Sequence, residues 1–215
     1  MRNTGFKNDM TMMYVMHDAL RRELRHLTRI TADPTRDPRD VLRGAVGWEM
    51  FTQYLHVHHG AEDDVLWPAI RPAAADRPDE LAVLDAMDAE HAMIDPGLAA
   101  FDEAVADRDA GPERLAAIVA RLVTGLGAHL DHEEKEGLAV VDAHATPELL
   151  QRFGAEHGKR LGADVSRYFP WLLEDASPED VETALRPLPE PVRQAFHQQW
   201  RPAFAALDRW GTKAA

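Results

Sequence analysis

The sequence predicts an all-α protein, an up-and-down antiparallel four-helix bundle with an additional helical C-terminal extension. Apolar residues recur at spacings of three and four along four long segments, which is typical of amphipathic helices. The alternation of apolar and polar residues that marks strands is nearly absent. One pattern of histidine and glutamate also occurs twice, which indicates a duplicated helical hairpin. We therefore expect residues 10–145 to form the bundle and residues 146–215 to form the extension.

The first hairpin begins with a helix predicted over about residues 11–31, in which His17 lies within the apolar stripe. The segment that follows contains two prolines and several aspartates, which favour a turn and a new helix start. The second helix is predicted over about residues 38–66. We expect Pro68 and Pro72 to mark its end.

The second hairpin begins with a helix predicted over about residues 79–108, again with a histidine, His91, inside the apolar stripe. Pro96 lies within this segment and is expected to bend or locally break the helix, because its ring displaces the carbonyl group four residues earlier. The fourth helix is predicted over about residues 112–143. Four amphipathic helices with connections of modest length favour an antiparallel bundle.

The chain changes character after residue 146. A fifth helical stretch is predicted over about residues 147–174, and a proline-rich segment follows it. Trp171, Trp200 and Trp210 lie in this part of the chain, so we do not expect it to be disordered. We expect it to pack on the bundle or on a second subunit, with a role that the sequence leaves open.

The repeated pattern is a lone histidine followed about forty residues later by a His-x-x-x-Glu pair. His17 is followed by His58 and Glu62, and His91 is followed by His129 and Glu133. Residues four apart in a helix lie on one face, about 6 Å from each other, so each pair can reach one ion or a close pair of ions. Four imidazoles and two carboxylates in a bundle core are how proteins hold paired iron or manganese. Without a metal, so many buried polar groups would be costly.

Two further histidines compete for the same role. His59 follows His58 and lies three residues before the first glutamate, and His132 lies three residues after His129. Either one could replace its neighbour as a ligand, or orient a glutamate from behind. The spacing of four favours His58 and His129. His157, on the predicted fifth helix, is not expected to be a ligand.

Composition excludes several classes of function. A formal net charge of −13 repels phosphate backbones and anionic membrane surfaces, so neither a nucleic acid nor a membrane is an expected partner. The absence of cysteine excludes disulfides, thiolate zinc sites and iron–sulfur clusters, so nitrogen and oxygen must hold any metal. No signal-peptide core and no run of eighteen apolar residues is present, which predicts a cytoplasmic location.

The spacing of these histidines and glutamates and the stretches HHGAEDDVLWPAI, DAEHAMIDP and HLDHEEKEGL resemble the hemerythrin-like (HHE cation-binding) family over about residues 10–143. The resemblance implies an up-and-down four-helix bundle that holds a non-haem di-iron centre, two irons joined by an oxo or hydroxo bridge, with manganese as the alternative metal. Glu62 and Glu133 would be the bridging carboxylates, and the histidines would complete the outer coordination positions. Such centres bind or react with dioxygen, peroxide or nitric oxide, or serve iron and oxygen sensing.

The chain departs from the oxygen-carrying members of that family at two positions. Those carriers have a second histidine on the third helix, where this chain has Asp95, and their last carboxylate corresponds to Glu134, with Glu133 one residue earlier. One imidazole fewer would leave open coordination positions, which favour chemistry on a bound oxygen species over reversible carriage. A carboxylate from Asp95 would instead fill the gap and stabilise the ferric state.

These features support two hypotheses of different class. In the first, the chain is a di-iron protein that binds or reacts with dioxygen, hydrogen peroxide or nitric oxide, with a peroxide- or NO-consuming oxidoreductase in oxidative stress as its enzymatic form. In the second, it is a non-catalytic iron, oxygen or redox sensor or an iron-binding module, in which the metal changes the packing of residues 146–215. A weaker third reading is a structural bundle whose histidines bind zinc or nothing. No catalytic residue and no oligomeric state is assigned.

Overall fold

The computed structural model describes residues 5–107, 109 and 112–211, and no strand occurs among them. The all-α class is therefore confirmed. The α-helices are α1 Thr11–Thr31, α2 Pro38–Leu42, α3 Val46–Ala61, α4 Trp67–Ile70, α5 Pro78–Ala106, α6 Pro112–His132, α7 Leu138–His144, α8 Pro147–Leu161, α9 Val165–Leu172, α10 Pro178–Leu185, α11 Glu190–Ala195 and α12 Arg201–Ala206. Three π-helical turns, at Glu62–Leu66, Glu133–Gly137 and Phe196–Trp200, and a 3-10 turn at Gly162–Asp164 join some of them.

The first helix has the predicted bounds, but the predicted second helix is divided. Asp37 caps α2, because its carboxylate accepts a hydrogen bond from the backbone N–H of Arg39 at 2.9 Å. Ala45 then adopts an extended conformation, with φ −75° and ψ 105°, so the long helix α3 begins only at Val46. The prediction of one helix from residue 38 was therefore wrong.

Two prolines do not interrupt the chain's helical structure where the sequence suggested an end or a break. The helix does not end at Pro68, because the chain resumes as α4 after the first π-helical turn and the proline occupies its first turn, where it is tolerated. Pro96 lies inside α5, which runs unbroken to Ala106. The predicted end of that helix at residue 108 lies outside the described residues.

Each His-x-x-x-Glu pair ends in a π-helical turn. The turn after α3 begins at Glu62, whose carbonyl accepts the backbone N–H of Trp67, five residues on. The turn after α6 begins at Glu133 and is closed in the same way by the N–H of Leu138. Such turns are rare, and they occur frequently at functional sites.

The C-terminal part of the chain packs on the helices that precede it. The predicted fifth helix is interrupted at Gly162, which has φ +52° and separates α8 from α9. Helix α8 lies against α3 and the first π-helical turn, whereas α9 and α10 lie against α1. This part therefore contacts both helices of the first hairpin.

A buried ion-pair network holds the end of the described chain against α1. Glu23 on α1 is fully buried and accepts hydrogen bonds from the guanidinium of Arg209 at 3.0 and 3.1 Å and from the indole N–H of Trp210 at 2.8 Å. Arg22 donates to the same carboxylate and to the carbonyl of Trp171. A buried carboxylate with this many donors is fully compensated, so the network fixes the terminal segment in place.

The buried apolar side chains form two clusters, which we name the large and the small cluster. The large cluster contains Leu20, Leu24, Met50, Leu55, Ile94, Leu98, Leu122 and Leu126, among others. The small cluster contains Met10, Met13, Ala61, Leu66, Leu84, Met87, Leu138 and Val141, among others. On each long helix the predicted metal-site residues lie between members of the two clusters, so the polar centre is enclosed by apolar layers. None of the helices over the described ranges combines the length and apolar character that a membrane span requires.

Candidate metal centre

Five histidines and two glutamates converge in the middle of the helices. All seven side chains are buried: His17, His58, His59, Glu62, His91, His129 and Glu133. They include the six residues that the repeated pattern singled out, together with His59. Because the helices approach one another between two apolar layers, these polar groups are held away from solvent.

The nitrogen and oxygen atoms form two donor groups. In the first group, ligand atoms of His17, His58 and Glu133 lie within 4.8 Å of one another, and in the second group the same holds for His59, His91 and His129. The closest approaches are 3.1 Å in each group, from His17 Nε2 to Glu133 Oε2 and from His91 Nε2 to His129 Nε2. Three donors at this separation can hold a metal ion.

The two glutamates connect these groups. Glu62 Oε1 lies 3.4 Å from His58 Nε2 in the first group, and Glu62 Oε2 lies 3.6 Å from His91 Nε2 in the second. Glu133 Oε2, which is close to His17, is also 3.9 Å from His129 Nε2. Each carboxylate therefore faces both donor groups, as a carboxylate shared by two cations would.

Most of the side-chain nitrogen and oxygen atoms of these seven residues have no hydrogen-bond partner among the described residues. Among the described residues, eleven buried side-chain nitrogen and oxygen atoms lack one, and eight of them belong to five of the residues in this centre: His17, His58, His59, Glu62 and Glu133. Buried polar atoms are normally hydrogen-bonded, and a cluster of unsatisfied ones requires an explanation such as an ion. The donor set therefore fits a metal site built from nitrogen and oxygen.

Three of the histidines have a carboxylate on the side away from the centre. His17 Nδ1 lies 3.0 Å from Glu134 Oε1, His91 Nδ1 lies 2.8 Å from Asp63 Oδ1, and His129 Nδ1 lies 2.9 Å from Glu90 Oε2. A carboxylate there accepts the Nδ1–H and leaves Nε2 free for a metal, which fixes both the tautomer and the ring orientation.

The charges within the centre are strongly coupled. Burial disfavours the charged form of His17, but Glu133 and Glu134 outweigh it and raise its pKa to about 9. The pKa of Glu62 lies well above its ordinary value, because the carboxyl is buried and faces Glu133. Burial and neighbouring imidazoles hold the pKa of His58 well below 6.5. Without a metal, His17 and Glu62 therefore hold protons, and a bound cation would displace them.

His58 and His59 do not compete for one position. Consecutive residues on a helix point about 100° apart, and here His58 faces the first donor group while His59 faces the second. The sequence pattern favoured His58 because the spacing of four considers only one helix face. Two consecutive histidines in the sequence were the signal that two faces of α3 carry a metal-binding side chain.

The remaining candidates lie outside the two donor groups. Asp95 is on the surface, with its side chain 72% exposed and 3.0 Å from His56 Nε2, so it does not replace the absent histidine of the third helix. His132 contacts Glu90 at 2.8 Å, and Glu134 contacts His17 from behind. His59 lies in the second group beside His91 and His129, so the centre contains five imidazoles, one more than the repeated pattern singled out.

Comparison with known families agrees with this chemistry. The family model of the hemerythrin HHE cation binding domain matches residues 8–159, which include every residue of both donor groups. No curated protein and no solved structure gives a significant match to the chain. The His/Glu donors and the family match together indicate a cation-binding site.

Proposed function

The chain belongs to the hemerythrin HHE cation-binding family, and from this premise we propose that it is a non-haem di-iron protein that binds or reacts with dioxygen, hydrogen peroxide or nitric oxide. The observation that carries the proposal is the convergence of five buried imidazoles on two buried carboxylates that have no other partners. Donors of nitrogen and oxygen alone suit iron, with manganese as the alternative metal.

The proposed topology is the up-and-down four-helix bundle of the family. On α1 the chain passes from the small cluster at Met13 to the large cluster at Leu20. The order is reversed on α3 and its π-helical turn, from Leu55 in the large cluster to Leu66 in the small one. Helix α5 again passes from small to large, and α6 with α7 from large to small. This alternation supports four antiparallel helices around one polar layer, with residues 146–215 as an extension.

The two metal positions would have unequal protein donors. His17 and His58 would hold one metal, whereas His59, His91 and His129 would hold the other. Glu62 and Glu133 would lie between them, because both carboxylates face both groups. With one imidazole fewer, the metal held by His17 and His58 would be the one with room for an external ligand.

The surrounding residues suit a small ligand. A bound pair of irons would supply electrons to, or accept them from, a diatomic or peroxide molecule. Asp63, Glu90 and Glu134 would keep the protons on Nδ1 of their histidines. The large and small apolar clusters would exclude bulk water from the centre, and with it larger polar substrates.

A non-catalytic sensor or iron-binding module is the second candidate. The observation that favours it is that α1 carries both His17 and, six residues later, Glu23, which anchors Arg209 and Trp210. A movement of α1 on metal binding would therefore reach the C-terminal segment. In this function, metal occupancy or redox state would change the packing of residues 146–215.

The first experiment is metal analysis of the purified protein, followed by addition of hydrogen peroxide, dioxygen or nitric oxide under optical observation. Two irons per chain, with peroxide or nitric oxide consumed over many turnovers, would support the enzyme. Two irons with a stable adduct and no turnover would support the sensor. A protein reconstituted with iron that binds none would contradict both.

A further inference from the structure

His58 is the one histidine of the centre, among the described residues, for which both ring nitrogens lack a hydrogen-bond partner. His17, His91 and His129 each have a carboxylate at Nδ1. Both ring nitrogens of His58 are buried, and neither has a hydrogen-bond partner among the described residues. A histidine on which a metal depends would thus lack the contact that orients its neighbours.

The chemistry of His58 requires an acceptor at this position. Its Nε2 faces the centre, 3.4 Å from Glu62 Oε1. A histidine that binds a metal through one ring nitrogen is neutral and carries its proton on the other ring nitrogen. If Nε2 binds a metal, that proton must be on Nδ1, where a buried N–H without a partner is unfavourable.

A chemical group that can meet this need lies on α8. The ring centroid of His157 is 5.8 Å from that of His58, and the two planes are inclined at 45°. His157 Nδ1 lies 3.0 Å from the carbonyl oxygen of Phe153, which can only accept, so Nδ1 carries the proton. In its neutral form the ring carries a proton on one nitrogen only. Its Nε2 therefore has a free lone pair.

Helix α8 is held where this contact is needed. Arg160 forms an ion pair with Asp64 in the first π-helical turn. Its guanidinium also occupies the space above Gly60, where a Cβ would lie 2.6 Å from Nη1. The ring of Phe153 packs edge-on against His157, with 4.6 Å between the centroids. These contacts fix the position of His157 next to the helix that carries His58.

We propose that His157 is a positioning residue that accepts the Nδ1–H of His58 through its own Nε2, through one bridging water molecule or after a small approach of the two rings. The proposal rests on the proposed metal centre and adds a residue from the C-terminal part of the chain to it. A neutral imidazole accepts a proton less strongly than a carboxylate does. His58 is therefore a weaker metal ligand than His17. Binding of the metal that they share depends on the packing of α8 against α3.

The test is a titration of metal-free protein with Co²⁺, with binding followed by its optical absorption in competition with a chelator. His157→Phe removes the acceptor, and we expect one of the two Co²⁺ ions to bind about 10–100-fold more weakly, the usual cost of losing such a partner. His157→Gln keeps an acceptor oxygen and should bind Co²⁺ much as the natural protein does. His197→Phe, at an exposed histidine of the third π-helical turn, is the matched control.

The outcomes separate this inference from the proposed function. Natural protein that binds no Co²⁺ pair overturns both. A natural protein that binds two ions, with His157→Phe unchanged, overturns only the role of His157. Equal weakening in the Phe and Gln variants also overturns it, because packing alone would then explain the loss. Thermal unfolding of each metal-free variant checks the fold, and His157→Leu replaces the Phe variant if the larger ring prevents folding.

Discussion

Glu62 and Glu133 occupy equivalent positions, each four residues after a buried histidine and each the first residue of a π-helical turn. The two carboxylates face one another across the centre, and burial together with the charge of Glu133 raises the pKa of Glu62. Since each also faces both donor groups, we regard this pair as the part of the site on which a two-metal arrangement depends.

Replacing either glutamate by glutamine should remove this arrangement. Glu62→Gln or Glu133→Gln keeps the size of the side chain but removes the charge that would balance two cations. We expect the iron content of the reconstituted protein to fall from two per chain to one or fewer, as measured by elemental analysis. Glu103→Gln, at an exposed position on α5, is the control. Two irons retained in Glu62→Gln would exclude a bridging role for that residue.

His59 should be as important as the histidines of the repeated pattern. It stacks on His91, with 4.0 Å between the ring centroids, and completes the second donor group. We expect His59→Ala to lose about one metal per chain, because two imidazoles would remain at that position. His56→Ala, three residues earlier and exposed, should keep both metals. Equal metal contents in the two variants would show that His59 is not a metal ligand.

Gly137 provides the space that Glu133 needs. A Cβ at position 137 would lie 2.9 Å from Glu133 Cγ and 3.6 Å from Met87 Sδ. Gly137→Ala should therefore displace the carboxylate and weaken metal binding about tenfold, measured by chelator competition. Gly127→Ala, on α6 with nothing within 4 Å of the added carbon, is the matched control. It should raise stability by about 0.5–1 kcal/mol and leave metal binding unchanged.

Metal binding should strengthen as the pH rises towards 9. In the metal-free protein the pKa of His17 is raised from 6.5 to about 9, so a metal must displace its proton at neutral pH. The stability that this proton gives to the metal-free fold is fully present below pH 6.5 and is lost as the pH rises through 9. Melting temperatures of metal-free protein should accordingly fall between pH 6.5 and 9, while the apparent affinity for Co²⁺ increases. Parallel trends in the two measurements would refute this assignment.

The contact between Gly47 and Trp210 should determine how firmly the C-terminal segment packs on the rest of the protein. A Cβ on Gly47 would lie 2.3 Å from Cε2 of the indole, so Gly47→Ala must push the tryptophan away. We expect a loss of about 1–3 kcal/mol of stability, the usual cost of overpacking, and a shift in tryptophan fluorescence. Gly44→Ala, which meets nothing within 4 Å, should change neither property. If the sensor function is correct, the Gly47 variant should also alter the effect of metal on the fluorescence of this segment.

The helical class and the main donors could be derived from the sequence because both depend on local geometry. A spacing of four puts His58 and Glu62 on one helix face whatever the helix packs against. Local spacing could not predict whether Asp95 is a metal ligand. The packing of α5 against its neighbours directs that side chain to the surface.

The sequence by itself determined that amphipathic helices carry a repeated set of histidines and glutamates on their apolar faces, since helical periodicity is a property of neighbouring residues. Only the tertiary structure decided that His58 and His59 face different donor groups and that His157 lies beside the first of them. It also revealed the π-helical turns at Glu62 and Glu133. These features depend on how helices distant in the sequence rotate and pack against one another, and the spacing of residues along one helix contains no information about that.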